Sequence, residues 1–262
     1  MRKIFLLFLV MLFTGFAQAQ QTLRVAAAAD LQPLLPGILT QFTAQTGIHA
    51  EASYQSSATL ATQIINGAPF DVFMAADLSF PQRVVAAGLA EETQPIVYAQ
   101  GTLVLWTRND SPFRNLSLDT LRDSALKSVA IANAEHAPYG RAAQAALEHL
   151  GLYDMLKPKL VVAENIAQTA QYVDSGNAQL GFISLTSAMT PRLKASGHYV
   201  LMPRDAYPPI QQGVVIVKRA GADSAAAHRF LDYLASAPVV HQLEAGGLAP
   251  AGVASNGATQ AK

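Results

Sequence analysis

Residues 25–31 read Val-Ala-Ala-Ala-Ala-Asp-Leu, a short run of small apolar residues that closes on an acidic one. The run has the character of a buried strand. After it Leu31, Leu34, Leu35, Ile38 and Phe42 recur at the spacing of one helical face, so the chain is expected to pass from strand to helix at Asp30. Aspartate is a good N-cap. A strand that feeds a helix through so tight a turn leaves backbone N–H groups pointing out of its carboxyl end, the place where open α/β sheets hold ligands.

Three further corners of this kind follow. Residues 48–54 alternate as a strand, and the corner Gln55-Ser56-Ser57-Ala58-Thr59-Leu60 leads into a helix carrying Leu60, Ile64 and Ile65. Ser56 and Ser57 read equally as plain caps and as hydroxyl donors beside free helix amides. Residues 71–77 form a third strand, with a helix after it at 81–87. The third corner, residues 133–140, runs Asn-Ala-Glu-His-Ala-Pro-Tyr-Gly after the strand 129–132 and precedes a helix that starts at Arg141. The fourth, Ala163-Glu164-Asn165-Ile166, follows the strand 160–162, with Asn165 as the expected cap.

Strands that alternate with helices predict mostly parallel, doubly wound α/β sheets. The apolar stretches GTLVLWTR (101–108) and QQGVVIV (211–217) read as two crossings between lobes. The expected organisation is therefore a two-lobed clamshell with a two-strand hinge: residues 20–100 and 213–249 in lobe 1, residues 101–212 in lobe 2, and a flexible tail at 250–262.

Residues 1–19 carry Arg2 and Lys3, an apolar run over 4–13 and an Ala17-Gln18-Ala19 close, the pattern of a cleavable secretory signal peptide. The apolar run falls short of the ~20 residues that span a bilayer. A soluble periplasmic protein is expected, and with no cysteine in the chain, disulfides, thiolate metal sites and a cysteine nucleophile are excluded. Of 18 basic residues the leader removes two, leaving 16 against 18 acidic, a net charge of −2. That is no footprint for nucleic acid or an anionic membrane. An enzyme would need a nucleophile with its base, a carboxylate pair or a cofactor motif, and neither G-x-S-x-G, H-E-x-x-H, G-x-x-x-x-G-K-[ST] nor G-x-G-x-x-G occurs. A binding protein is expected, without a cofactor and as a monomer.

Four stretches, VAAAADL, SSATLATQI followed by NGAPFDVFMAAD, EHAPYGRAAQAALEHLGLYD, and AENIAQTAQYVDSGNAQLGFI, resemble the periplasmic molybdate-binding proteins of ABC transporters. The likeness spans residues 23 to about 247. It implies a type II periplasmic binding fold closing on a tetrahedral oxyanion, molybdate or tungstate, for delivery to an ABC permease. No resident metal is implied, since molybdenum arrives inside the oxyanion. Carried over by position, the family's ligand contacts fall on Asp30, Ser57, Tyr139, Ile166 and Ser184, with Ser56, His136 and Arg141 behind them. The family commonly has serine at the place of Asp30, a small residue at that of Tyr139 and tyrosine at that of Ser184.

Asp30 is the departure with consequences. Two unit charges ~4 Å apart at an effective dielectric of ~20 interact by about 4 kcal/mol, so an ionised carboxylate facing a dianion costs roughly twice that. A helix N-terminus returns only ~0.3 to 2 kcal/mol. Three resolutions are open. Asp30 caps its own helix; or Arg141 pairs with it on closure; or it contacts a different kind of ligand. In the last case Asp30, Tyr54, Tyr139 and His136 form an oxygen-rich set suited to a hard cation such as ferric iron.

Overall fold

The computed structural model describes residues 22–251; the expected signal peptide and residues 252–262 of the expected tail lie outside them. Among the described residues eleven strands form two sheets. The first has the order β11-β4-β10-β3-β1-β2, built from β1 (Leu23–Ala28), β2 (Ala50–Gln55), β3 (Val72–Ala75), β4 (Ile96–Gly101), β10 (Ile210–Ile216) and β11 (Ala249–Pro250). The second has the order β7-β6-β8-β5-β9, from β5 (Leu103–Arg108), β6 (Val129–Ala132), β7 (Leu160–Ala163), β8 (Leu180–Ser184) and β9 (Gly197–Leu201). Both sheets are mixed. The pairs β1/β2, β1/β3, β6/β7 and β6/β8 are parallel, whereas β10 and β5, the strands next to the crossings, pair antiparallel with their neighbours.

Side-chain alternation makes the first lobe three layers thick. Val25, Ala27, Met74, Val214 and Ile216 face one side, where α1 (Leu35–Thr46) contributes Leu35, Ile38 and Phe42. Ala26, Phe73, Ala75 and Val215 face the other, against Leu60, Ala61 and Ile64 of α2 (Ser57–Ile65) and Phe80 and Val84 of α3 (Ser79–Ala86). Successive strand residues point to opposite faces, so one strand of small and branched residues serves two helical layers.

In the second lobe, α4 (Pro138–His149), α5 (Tyr153–Leu156), α6 (Ile166–Asp174), α7 (Leu185–Ala188) and α8 (Pro191–Ser196) surround the sheet. Two helices return to the first lobe, α9 (Ser224–Leu234) and α10 (Ala237–Ala245); Phe230 of α9 meets Phe42 edge-on at 5.3 Å. The large apolar core of the second lobe takes in Ala28, Ala29 and Ala76 of the first. The lobes are shut against each other.

Four local expectations change. The helix does not start at Asp30: Ala29–Leu31 is a single 3-10 turn and α1 begins at Leu35, since Pro33 has no N–H to give and Pro36 sits in the first turn of α1 where none is needed. The stretch 101–108 is not one crossing strand, because Gly101 pairs with Ile210 in the first sheet and Leu103 with Ser184 in the second, so the chain changes lobes at Thr102. The return crossing precedes β10 and occupies residues 202–209, where Pro203, Pro208 and Pro209 interrupt regular pairing. Pro250, read as tail, lies in β11 and pairs with Ala99 of β4.

Candidate functional site

The strand-to-helix corners of both lobes meet at one small cavity, lined by Ala28, Ala29, Asp30, Gln55, Ser56, Ser57, Ala76, Ala137, Pro138, Tyr139, Asn165 and Ile166. Its volume is about 10 Å³, near the least that admits a water. A solute can enter only when the lobes part. A wider depression of about 430 Å³ beside Gln32, Pro33 and Arg192 is open to solvent and gathers few of these corners.

Local sequence chemistry builds each wall. Ser56 caps α2, its hydroxyl accepting from the Thr59 amide at 3.2 Å. Ser57 is buried, and its Oγ accepts from the Ala76 amide at 3.1 Å, which ties the second corner to the end of β3. Asn165 caps α6 through the Gln168 amide at 3.0 Å and leaves Ile166 as the first helical residue. Pro138 opens α4 and places Tyr139 one residue into it, pointing across to the first lobe.

Asp30 is fully buried and caps nothing. Its Oδ2 accepts from the Tyr139 hydroxyl at 3.1 Å and from the Gln212 side-chain amide at 2.5 Å, and its Oδ1 has no hydrogen-bond partner among the described residues. The Gln212 amide is oriented from behind by Tyr98, whose hydroxyl donates to Oε1 at 3.0 Å. Thr186 of α7 donates to the Asp30 carbonyl at 2.7 Å. Burial pushes the Asp30 carboxyl up to about 6, against the opposing pull of the Gln212 and Tyr139 hydrogen bonds. Burial, reinforced by the Asp30 charge, holds the Tyr139 and Tyr98 phenols well above their ordinary range. Both stay neutral donors.

Four of the five expected contact residues, Asp30, Ser57, Tyr139 and Ile166, thus line one cavity. Ser184 does not; its hydroxyl caps α7 through the Ser187 amide and bonds the Ser187 and Thr186 hydroxyls. Ser56 lines the cavity as well. His136 instead meets Glu164 at 3.3 Å, and its carbonyl accepts from the Ala58 amide across the cleft. Arg141 pairs with Asp77, not with Asp30. The capping and Arg141 resolutions of the Asp30 charge are therefore both absent. Of the set read as suited to iron, only Asp30 and Tyr139 line the cavity, and Tyr54 and His136 lie outside its lining; among the described residues no group of three or more His, Cys, Asp or Glu could hold a metal ion. Gln212, Tyr98 and Asp77 were not anticipated. A glutamine pair inside an otherwise apolar strand, QQGVVIV, is the signal that marks Gln212.

Among the described residues no Lys, Arg or His lines this cavity; it is walled by hydroxyls, small residues, the Asp30 carboxyl and helix starts from the two lobes. The family described as bacterial extracellular solute-binding protein matches residues 23–249. The chain belongs to that family. Among relatives of this solute-binding protein, the molybdate-binding protein of Rhodobacter capsulatus is 37% identical over 209 residues, covering 80% of this chain and 81% of its own. The molybdate-binding protein of Azotobacter vinelandii is 38% identical over 218 residues, covering 83% and 85%. The solved structure of the Azotobacter vinelandii periplasmic molybdate-binding protein superposes with a TM-score of 0.80 at 32% identity, over 86% of this chain and 98% of that one.

Proposed function

We propose that this solute-binding protein captures molybdate or tungstate in the cavity between its lobes and hands it to an ABC permease from the periplasm, as a monomer and without catalysis. The observation that carries the reading is the convergence of corners from both lobes on a cavity that offers hydroxyls and helix-start amides and no cation. Such a site holds a tetrahedral oxyanion by desolvated hydrogen bonds and selects by size and protonation state. The identities of 37% and 38% to two molybdate-binding proteins support the choice of anion. The leader-like pattern of residues 1–19 supports export, and the near-neutral charge balance argues against a nucleic-acid partner.

Calorimetric titration of the mature protein, unfolded and refolded to strip carried-over solute, tests this with molybdate, tungstate, sulfate and ferric citrate. Tight binding of molybdate or tungstate with silence toward sulfate and iron is expected. Heat from ferric citrate alone would overturn the oxyanion reading.

A further inference from the structure

We propose that Asp30 enters the ligand complex as a neutral carboxylic acid and donates its Oδ1 proton to the bound oxyanion, so that each dianion is captured together with one proton from solvent. The inference rests on the oxyanion reading above. Its geometric basis is the asymmetry of the two carboxyl oxygens. Oδ2 accepts from the Tyr139 hydroxyl and from Gln212: Tyr98 donates to Gln212 Oε1, so the NH₂ end of that amide, which can only donate, faces Asp30. Oδ1 is buried on a cavity-lining residue and has no partner among the described residues. Buried polar atoms are normally paired. An acceptor from outside the chain, such as an oxyanion oxygen, completes a protonated Oδ1 and repels an ionised one.

Among the described residues no neighbouring charge offers another way out. From β4 comes Tyr98 and from α4 Tyr139, both neutral phenols; β10 contributes Gln212, which does not titrate. At the end of β2 stands Tyr54, its phenol pushed up to about 12 by burial, while Glu51 of that strand pairs with Arg24. Helix α7 has no titratable side chain, and α6 carries Tyr172 and, at its far end, Asp174, paired with Arg192. Arg141 is committed to Asp77. Burial has already moved the Asp30 carboxyl to about 6, and a dianion placed beside it raises it further. The proton comes from buffer on binding and returns to buffer on release; no covalent bond of the ligand changes.

The test is the proton count of molybdate binding, taken from the dependence of the binding heat on buffer ionisation enthalpy in PIPES and Tris. Between about pH 7 and 9, where molybdate itself carries no proton, the wild type is expected to take up about one proton, with Kd weakening about tenfold per pH unit. Asp30→Asn keeps a donor and loses the titration; it is expected to take up none and to bind with a flat pH profile. Molybdate binding by the wild type with no proton uptake and a flat profile would overturn the inference and leave the oxyanion reading intact, even if the variant does not fold. So would an Asp30→Asn protein that still takes up a proton. No heat from either oxyanion at any pH would overturn the function itself, and the proton with it.

Discussion

Arg141 of the second lobe pairs with Asp77 of the first, and its guanidinium lies 5.1 Å from the centroid of the Phe80 ring in that same lobe. Both contacts span the cleft, so they exist only while it is shut and favour the closed state by whatever they are worth. The pair is partly exposed, which limits it to about 1 kcal/mol, or about fivefold in Kd. Asp77→Asn is expected to weaken molybdate binding by that factor, Arg141→Ala, which also loses the Phe80 contact, by at least as much, and the double variant by no more than Arg141→Ala. High salt should shrink the effect. Additive losses in the double variant would show that the two side chains act independently.

Gly101 ends β4, next to the point where the chain changes lobes. A Cβ there would overlap the Tyr139 hydroxyl, lie 2.9 Å from Tyr139 Cζ and 3.1 Å from Ile210 Cγ2. Gly101→Ala is expected to displace Tyr139 from Asp30 and hold the lobes ajar. Overpacking of this kind costs about 1 to 3 kcal/mol, so affinity should drop by roughly fivefold to a hundredfold. Small-angle scattering of the variant with saturating molybdate should report a larger radius than the wild type; identical radii would place the overlap elsewhere than in closure.

Ser57→Ala removes the acceptor of the buried Ala76 N–H and one hydroxyl from the cavity. An unpaired buried donor costs about 1 to 3 kcal/mol, so the melting temperature should fall modestly while molybdate affinity falls as well. Unchanged affinity beside a lowered melting temperature would confine Ser57 to a structural part.

The Asp30 carboxyl makes the stability of the ligand-free protein depend on pH. Its folded value, about 6, lies above the ordinary 3.8, so the folded state binds the proton more tightly than the unfolded one. That contribution is fully present below about pH 4 and is lost as pH rises through about 6, a change of about 3 kcal/mol for a group so buried. Asp30→Asn should therefore exceed the wild type in stability at neutral pH, with the gap closing toward pH 4. Parallel melting curves of the two proteins across pH would contradict it.

Trp106 is fully buried in the second-lobe core, against Val173, Ile183 and Leu193. It is absent from the cavity lining. Its fluorescence should hardly change on molybdate addition, whereas the tyrosine ultraviolet difference spectrum should, because Tyr139 bridges the cleft. A large tryptophan response would indicate rearrangement inside the second lobe rather than rigid closure.

The alternation of strand and helix was legible because apolar period and cap residues are local: Asn165 caps α6 and Ser56 caps α2, and both stand where a strand pattern gives way to a helical one. What Asp30 does was not legible. Its partners lie 109 and 182 residues away, Tyr139 and Gln212, and no local rule states that a carboxyl at a good capping position will be turned inward by a phenol from the opposite lobe. The same holds for Arg141, whose partner Asp77 lies 64 residues back, in the first lobe. For the helix start the signal is local: Pro33 and Pro36 favour Leu35 over Asp30, and they outweigh the leucine spacing that begins at Leu31.

The ladder between β10 and β4 skips a residue: Gln212 stands opposite Ala99 and Gly213 opposite Val97, so Tyr98 is the extra one. Chain length is thereby part of the site. Deleting one residue within β4 would restore regular alternation, turn the side chain at this place to the other face of the sheet, and leave the Gln212 amide free to flip its oxygen toward Asp30. Two acceptors would then meet where a donor and an acceptor now do. Tyr98, Gln212 and Asp30, three positions far apart in sequence, behave as one character: an insertion or deletion in β4 alters all three, and in a chain with a shorter β4 the residues at the other two places are expected to change with it.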